Sequence, residues 1–159
     1  MPKPIYIICS ESGVEDRNTG LLSFVNVLEK LTMWKPGETP NPNAQRIFGF
    51  RVSAAWMKEP TDNISTVYEW ELLFEAPVSK ASHVVVKGSF SFADEPSKSW
   101  SRTTVNVHGV PPADGSGILR VQHRIRPVGS SGEWLVQEYP LVIEEATTAN
   151  SVGQAASPA

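Results

Sequence analysis

The segment from Gly117 to Glu145 reads GILRVQHRIRPVGSSGEWLVQEYPLVIEE. It contains two runs in which apolar and polar residues alternate, and a turn rich in glycine and serine joins them. Such alternation is typical of half-buried strands, and the turn composition is typical of a hairpin. In the first run, Arg120, Arg124 and Arg126 share one face, while apolar residues interrupted by His123 share the other. The segment therefore predicts an antiparallel hairpin with one face in the core.

The faces of this hairpin also predict its register. We expect four opposed pairs, which are Arg124 with Glu138, Val121 with Leu141, Leu119 with Ile143, and His123 with Tyr139. This arrangement opposes unlike charges and brings apolar side chains together. A slip of one residue would reverse both faces, so the pattern favours this register over its one-residue slips. His123 is then expected to face the core and to form a hydrogen bond near Tyr139.

Outward from the hairpin, the chain repeats the same pattern in short runs separated by proline and glycine. The predicted strands are Ile5–Ser10, Leu21–Trp34, Arg46–Trp56, Val67–Glu75, His83–Asp94 and Arg102–Val110. Leu21 to Trp34 fits a helix as well as a strand, and we favour the strand. Ile5 to Ser10 is almost entirely apolar, which indicates a central strand covered on both faces, followed by an acidic surface loop over residues 11–20. Gly88 indicates a bulge or a close backbone approach within its strand.

The predicted architecture follows from these strands. We expect Arg46–Trp56 and Val67–Glu75 to form a hairpin that carries much of the aromatic core. About seven to eight strands, no clear helix and no repeat make a single antiparallel β-sandwich the simplest fold. A chain of 159 residues is long enough to bury a full core. We therefore predict one all-β sandwich domain over residues 1–145 and a disordered tail over residues 146–159, where small and polar residues dominate.

Net charge and cysteine content limit the partners and the disulfide bonds that we expect for this protein. The formal net charge is -3, so no overall attraction to phosphate backbones is expected, and nucleic acid is not an expected partner. Cys9 is the single cysteine, so no intramolecular disulfide can form. The apolar run from Ile5 to Cys9 is too short for a signal peptide, and no run approaches the roughly 18 apolar residues that cross a bilayer. We expect a cytoplasmic protein without membrane association.

Three motifs carry a family resemblance. They are the strand Ile5-Tyr6-Ile7-Ile8, the segment Thr19-Gly20-Leu21-Leu22-Ser23, and a final hairpin that runs from Gly117-Ile118-Leu119-Arg120-Val121 to Pro140-Leu141-Val142-Ile143. In this arrangement the chain resembles a bacterial family of uncharacterised small domains with an immunoglobulin-like or C2-like β-sandwich. The resemblance covers most of residues 4–145. It implies a strand over Leu21 to Leu31 and a bacterial source, and it implies no catalytic residues.

The sequence contains no set of residues with the spacing of a catalytic centre. Of His83, His108 and His123, only the last two could approach one another, because they lie on successive strands. The serines near Ser10 do not match a nucleophile elbow. Cys9 has no neighbouring cation in sequence that would activate its thiol. We therefore expect no enzymatic activity, no catalytic residues and no cofactor.

Acidic residues form two groups. The first group is Glu11, Glu15 and Asp16, and the second is Glu69, Glu71 and Glu75. The first could bind calcium as acidic loops of C2-like sandwiches do, but it lacks an aspartate-rich repeat. The second alternates with an aromatic face, which indicates a solvated surface that resists aggregation. No metal site is expected at either group.

The exposed features that remain indicate binding to a protein. Arg120, Arg124 and Arg126 could hold an acidic partner, although Glu133, Glu138 and nearby strands are expected to neutralise them in part. Trp34 and Trp100 lie beside turns, where each could cap the core or anchor an interface.

These observations favour a non-enzymatic protein–protein interaction or assembly module. Such a module would present an edge strand or the arginine face to a protein partner, or to further copies in a homo-oligomer. The alternative function is a ligand-binding or metal-binding sandwich domain, including a hydrolytic one. A phage or virion structural component is a third hypothesis.

Overall fold

The structure is a computed structural model that describes residues 1–15, 22–33, 49–94, 99–109 and 113–146. These residues form nine strands and one short 3₁₀ helix. The strands are β1 (Lys3–Glu15), β2 (Leu22–Val27), β3 (Lys30–Met33), β4 (Gly49–Met57), β5 (Val67–Glu75), β6 (Ser82–Ser91), β7 (Trp100–His108), β8 (Gly117–Pro127) and β9 (Leu135–Glu145), and the helix is Phe92–Asp94. The protein is all-β, as the alternating sequence predicts.

Two sheets contain these strands. The four-stranded sheet has the order β2-β1-β4-β7, and the five-stranded sheet has the order β3-β9-β8-β5-β6. Neighbouring strands are antiparallel except for β3, which runs parallel to β9. The prediction of a purely antiparallel fold is wrong at this pair. The cause is that the chain leaves the four-stranded sheet after β2 and enters the five-stranded sheet at β3, instead of turning back in a hairpin.

The segment predicted as one strand over Leu21 to Trp34 is extended rather than helical, but it is divided into β2 and β3. Asn26 has a φ of 51°, a left-handed conformation that asparagine tolerates better than most residues. Close by, the N–H of Leu28 donates to the carbonyl of Cys9 at 2.9 Å. This break redirects the chain from one sheet to the other. Trp34 and the tail predicted over residues 146–159, apart from its first residue, lie outside the described residues.

The inward faces of the two sheets share one hydrophobic core. Its buried members from both sheets are Ile7, Cys9, Leu28, Leu31, Phe50, Val52, Ala54, Leu72, Phe74, Val107, Leu119, Val121, Leu141 and Ile143. A second cluster contains Trp56, Tyr68, Phe92 and Ile125. The apolar face predicted for the closing hairpin is therefore confirmed, because its apolar residues contribute to both clusters.

Two polar side chains link the sheets inside this core. Nε1 of Trp56 on β4 donates to Nδ1 of His123 on β8 at 3.0 Å, and Nε2 of Gln137 on β9 donates to the carbonyl of Ala55 at 2.7 Å. Because Nδ1 accepts this bond, the neutral imidazole carries its proton on Nε2. Burial lowers the pKa of His123 to about 4. The prediction that His123 faces the core is confirmed, but its hydrogen-bond partner is Trp56.

The register of β8 and β9 differs from the predicted register by two residues. The observed pairs include Leu119 with Leu141, Val121 with Tyr139, Gln122 with Glu138, and His123 with Gln137. All four predicted pairs are therefore wrong, including Arg124 with Glu138, although every side chain lies on its predicted face. A shift of two residues preserves the faces, so matching faces cannot distinguish these registers. The N–H of Val128 donates to the carbonyl of Val67 at 2.9 Å, and this bond holds the end of β8 against β5.

The predicted hairpin between the runs Arg46–Trp56 and Val67–Glu75 is wrong. The first run contains β4, which pairs with β1 and β7, whereas β5 pairs with β6 and β8. Residues 58–66 thus connect one sheet to the other. Alternation in a sequence reports which face of a strand is buried, but it does not report the neighbouring strand.

The first strand is longer and more exposed than predicted. β1 continues to Glu15, because residues 10–15 pair with β2 where the sequence predicts a loop from Glu11. Only part of its apolar run is buried, since Ile7 and Cys9 face the core while Ile5 is exposed. The prediction of a strand covered on both faces is therefore wrong, although β1 does lie between two other strands.

The close backbone approach predicted at Gly88 is confirmed. A Cβ added there would lie 2.6 Å from ring atoms of Trp70 on the neighbouring strand. The same strand pair contains an irregularity in its register between Leu72 and Leu73. A larger residue at Gly88 would therefore collide with a ring that packs against the core.

Candidate functional site

The outer face of the five-stranded sheet carries the three arginines predicted as partner-binding residues. Arg120, Arg124 and Arg126 alternate along β8 and point away from the core. On the neighbouring strand β5 three glutamates occupy the opposed positions, and the pairs are Glu75 with Arg120, Glu71 with Arg124, and Glu69 with Arg126. A basic row and an acidic row therefore run side by side and in register. We call this surface the charged face.

Each arginine of the charged face is bonded to a carboxylate. Nε and Nη2 of Arg124 both donate to Oε2 of Glu71, at 3.0 and 2.5 Å, and Nε of Arg126 donates to Oε1 of Glu69. The expectation of partial neutralisation is thus met mainly by β5. The predicted pair of Arg124 with Glu138 is wrong because of the two-residue shift in register.

Arg120 has two weaker partners. Its Nη1 donates to Glu138 at 3.2 Å, and its Nε lies 3.6 Å from Oε1 of Glu75. The side chain of Arg120 is 47% exposed, more than either of the other two arginines. Arg120 is therefore the arginine of this face that is most accessible to a partner.

Glu71 is the most buried charge of the face. Its side chain is 10% exposed, and it bonds Arg124 through one oxygen and the ammonium of Lys87 on β6 through the other, at 2.8 Å. Burial alone would raise the pKa of Glu71, but the hydrogen bonds and charges of Lys87 and Arg124 hold it below its ordinary value. The prediction of a fully solvated glutamate row is therefore wrong at Glu71.

Trp134 is a residue of this face that the sequence did not single out. Its ring centroid lies 4.5 Å from the guanidinium carbon of Arg124 and 4.2 Å from that of Arg126. Both distances suit cation–π attraction. The residue remains partly exposed. The predicted register opposes Arg126 to Val136, whereas the observed pairing of Ile125 with Leu135 brings Trp134, the residue just before β9, beside Arg126. Only the correct pairing could have revealed this contact.

Exposed apolar side chains lie along the same face. Those on β8 and β9 are Ile118, Val136 and Val142, and Val136 lies directly opposite Arg124. Aromatic and arginine side chains next to exposed apolar residues are the composition that protein interfaces favour. The charged face thus combines a tryptophan held by two arginines, several salt bridges and exposed apolar side chains.

The edge strand predicted as an alternative docking element corresponds best to β6. Its outer edge has no ladder partner among the described residues, and Val84 and Val85 are exposed on it. However, the register irregularity opposite Leu72 and Leu73 interrupts the strand, and Lys87 projects from it. Bulges and lysines are the features by which edge strands resist further pairing. The charged face is therefore the stronger candidate.

Trp100, the other predicted anchor, lines a cleft of about 380 Å³ formed in part by residues 90–94 and 100–102. The guanidinium carbon of Arg102 lies 5.4 Å from its ring centroid, and Arg102 forms a salt bridge with Glu15. Asp94 accepts a hydrogen bond from the N–H of Ser91 at 2.8 Å. Arg102, Glu15 and Asp94 thus each have a partner within the chain. The role of Trp100 stays a prediction, and Trp34 lies outside the described residues.

The structure does not bring the predicted metal-binding candidates together. His108 lies on β7 in the four-stranded sheet and is exposed, whereas His123 is buried in the other sheet, so the suggested approach of these two residues is wrong. Glu11 accepts a hydrogen bond from Asn26 at 2.6 Å, and Asp16 lies outside the described residues. Within the ranges that the structure describes, no group of three or more histidine, cysteine, aspartate or glutamate residues could hold a metal ion.

Cys9 is enclosed by the core. Burial raises the pKa of its thiol to about 12, so the sulfur is protonated at neutral pH. A protonated thiol is a poor nucleophile, in agreement with the interpretation of Cys9 as a small core residue.

Comparison with protein-family models and with curated proteins found no match to this chain. The resemblance to a bacterial family of small domains therefore stays a prediction. Among the described residues, no helix has the length and apolar character needed to span a membrane.

Proposed function

We propose that the protein is a non-enzymatic protein–protein interaction or assembly module that binds its partner through the charged face. In this proposal the two sheets form a β-sandwich of the immunoglobulin-like or C2-like kind, and this sandwich serves as a rigid support. The opposite face of the five-stranded sheet is committed to the core. The outward face is thus the broad surface of this sheet on which a partner could be seated.

The observation that carries the proposal is the position of Trp134. A tryptophan that is partly exposed and packs against two guanidinium groups is held in place while part of its surface remains accessible. Because Arg124 and Arg126 are themselves bonded to glutamates of β5, little side-chain freedom remains to be lost on binding. Tryptophan and arginine are the residues most often found to dominate binding energy at interfaces.

The paired charges have a second consequence for binding. A guanidinium that already bonds a carboxylate keeps further N–H groups that can donate to a partner. Arg120 has the most open side chain and the longest ion-pair contact of the three. We therefore assign to Trp134 the anchoring contact and to Arg120 the polar contact at the margin of the interface.

Site-specific photo-crosslinking in the cells that make the protein tests this proposal. A benzophenone amino acid replaces Val136, which is 48% exposed beside the Trp134 contact, and in a matched control it replaces Val14, which is 63% exposed on the four-stranded sheet. We expect a defined crosslinked product from position 136 that Trp134→Ala strongly reduces, and no such product from position 14. Equal products from both positions, or a product from position 136 that is indifferent to Trp134→Ala, would show that this face is not the interface.

A further inference from the structure

We propose that the partner seated on the charged face is a second copy of this chain. This inference rests on the proposed function above and specifies its partner. In the proposed dimer, the two faces are related by a two-fold axis that runs parallel to the strands, above the gap between β5 and β8. The β5 strand of each copy then lies over the β8 strand of the other.

The charge pattern of the face supports this arrangement. Among the described residues, the ion pairs of the face join five basic to five acidic side chains, including Lys30 with Glu144, so these pairs carry no net charge although the whole chain has a net charge of -3. A neutral face gives no general attraction to a polyanion or a polycation. Its charges are instead sorted by strand, since β5 and β9 carry the acidic side chains while β8, β6 and β3 carry the basic ones. A surface of this kind is complementary to itself, as a two-fold symmetric interface requires.

The register of β5 and β8 adds a geometric argument. Rotation about a two-fold axis parallel to the strands leaves the position of a residue along the strand direction unchanged. A glutamate of one copy therefore lies over the arginine of the other copy that has the same number as its partner within the chain. Glu75 of each copy thus lies over Arg120 of the other, because Glu75 and Arg120 are direct partners within a chain. The Glu75–Arg120 pair, the one with the most exposed arginine, would become a ring of four alternating charges. A β5–β8 register in which the glutamates did not lie directly opposite the arginines would not produce such a ring.

The size of the face also suits a dimer. With the axis between β5 and β8, four strands of each sheet overlap, because β3 has no counterpart across the axis. Four strands at about 4.8 Å spacing and nine residues at about 3.3 Å per residue cover roughly 19 by 30 Å. Such an overlap is about 570 Å² per copy, or about 1,100 Å² in total, which exceeds the roughly 1,000 Å² expected of a specific interface. Trp134 and Val136 lie on the side of β8 away from β5 and would contact β6 of the second copy, where the Lys87 ammonium provides a cation for the indole ring.

A charge-swap experiment tests the arrangement. The variant combines Glu75→Arg and Arg120→Glu, which reverse one pair, with Glu138→Gln, which removes the carboxylate that would then repel the new glutamate. The single variant Glu138→Gln is the matched control. Light scattering gives the mass of each protein in low and high salt, and subunit exchange between fluorescently labelled proteins gives the tendency of two variants to mix.

We expect the wild type and the swap variant each to form dimers that weaken as salt is raised. We also expect the two to form mixed dimers at least tenfold less than either forms with itself, because in a mixed dimer like charges face each other. The Glu138→Gln control should mix freely with the wild type. If the swap variant does not fold, the mass of the product crosslinked from position 136 tests the dimer instead. A mass equal to two copies of the chain would support the dimer.

Two results would overturn this inference. A wild-type protein that remains a monomer in low salt at high concentration excludes the dimer, and free mixing of the wild type with the swap variant places the dimer contact on another surface. If the chain is a monomer and position 136 crosslinks to a different protein in a manner that depends on Trp134, the proposed function is retained and only the second copy is excluded.

Discussion

The free energy of unfolding should fall by about 3 kcal/mol between pH 6.5 and pH 4 as a result of His123 alone. In the unfolded chain this histidine titrates near its ordinary pKa of 6.5, whereas burial lowers its pKa in the folded protein to about 4. Between these values the unfolded chain binds more protons, so acid favours unfolding. The separation of about 2.5 units corresponds to about 3 kcal/mol. The stability is fully present above pH 6.5 and is lost as the pH falls toward 4.

The hydrogen bond of His123 explains why the folded protein resists protonation. Nδ1 accepts a hydrogen bond from Nε1–H of Trp56. A proton added at Nδ1 would therefore point toward the Trp56 N–H, and two donors would face each other inside the core without an acceptor. Among the described residues, Nε2 of His123 has no hydrogen-bond partner that would support a charged ring. Protonation therefore requires either local opening between the sheets or global unfolding.

Urea unfolding followed by far-ultraviolet circular dichroism at several pH values measures this effect. The variant His123→Gln keeps an acceptor near Trp56 but cannot titrate, so its stability should change little between pH 6.5 and pH 4.5. His83→Gln, which removes an exposed histidine from β6, is the matched control and should keep the wild-type profile. Carboxyl groups with a lowered pKa, such as Glu71 and Asp62, act only below their ordinary values of 4.5 and 3.8. A wild-type pH profile in His123→Gln would disprove the assignment.

Replacing Trp56 with alanine should lower the free energy of unfolding by about 3 to 5 kcal/mol. Trp56 is 1% exposed and packs with Tyr68, Phe92 and Ile125, so truncation leaves a large cavity between the sheets. The same change leaves Nδ1 of His123 buried without its donor, which adds a cost of its own.

A second substitution separates these two contributions. Trp56→Phe fills most of the space but removes the N–H, so we expect a loss of about 1 to 3 kcal/mol from the unpaired acceptor. Met57→Ala, at the exposed neighbouring position of β4, serves as the control and should change stability by less than about 0.5 kcal/mol. Urea unfolding at pH 7 measures all three variants. If Trp56→Ala and Met57→Ala had similar effects, Trp56 would not be the centre of the second core cluster.

The sequence predicts which side chains are buried better than it predicts which strands are neighbours. The inward residues of the closing hairpin and of β5 are confirmed because alternation depends only on local geometry. The predicted pairing of β4 with β5 failed because the chain crosses between sheets after β4, and such a crossing leaves no mark on periodicity. The parallel contact of β3 with β9 has the same origin, since it depends on the break after Asn26.

The candidate site was predictable in its parts but not in its assembly. The arginine row of β8 and the glutamate row of β5 are each visible as alternating charges in the sequence, yet the sequence alone presents them as two separate surfaces. Only the pairing of β5 with β8 unites them. Trp134 was missed because the predicted register opposes Arg126 to Val136, whereas the observed register brings Arg126 beside Trp134. Each of these contacts depends on which strands pair and in which register, and the periodicity of a single sequence does not reveal either.

We propose the charged face as the surface through which this protein binds its partner. Hydroxyl-radical footprinting tests it most directly, because Trp134 is partly exposed on this face and Met57, 42% exposed on the four-stranded sheet, provides an oxidisable reference in the same chain. The ratio of Trp134 to Met57 oxidation is measured in dilute purified protein and in extract of the native cells at the natural concentration of the protein. We predict that this ratio falls several-fold in the extract. An unchanged ratio would contradict the claim, since Trp134 would then be as open to solvent in its natural setting as in isolation.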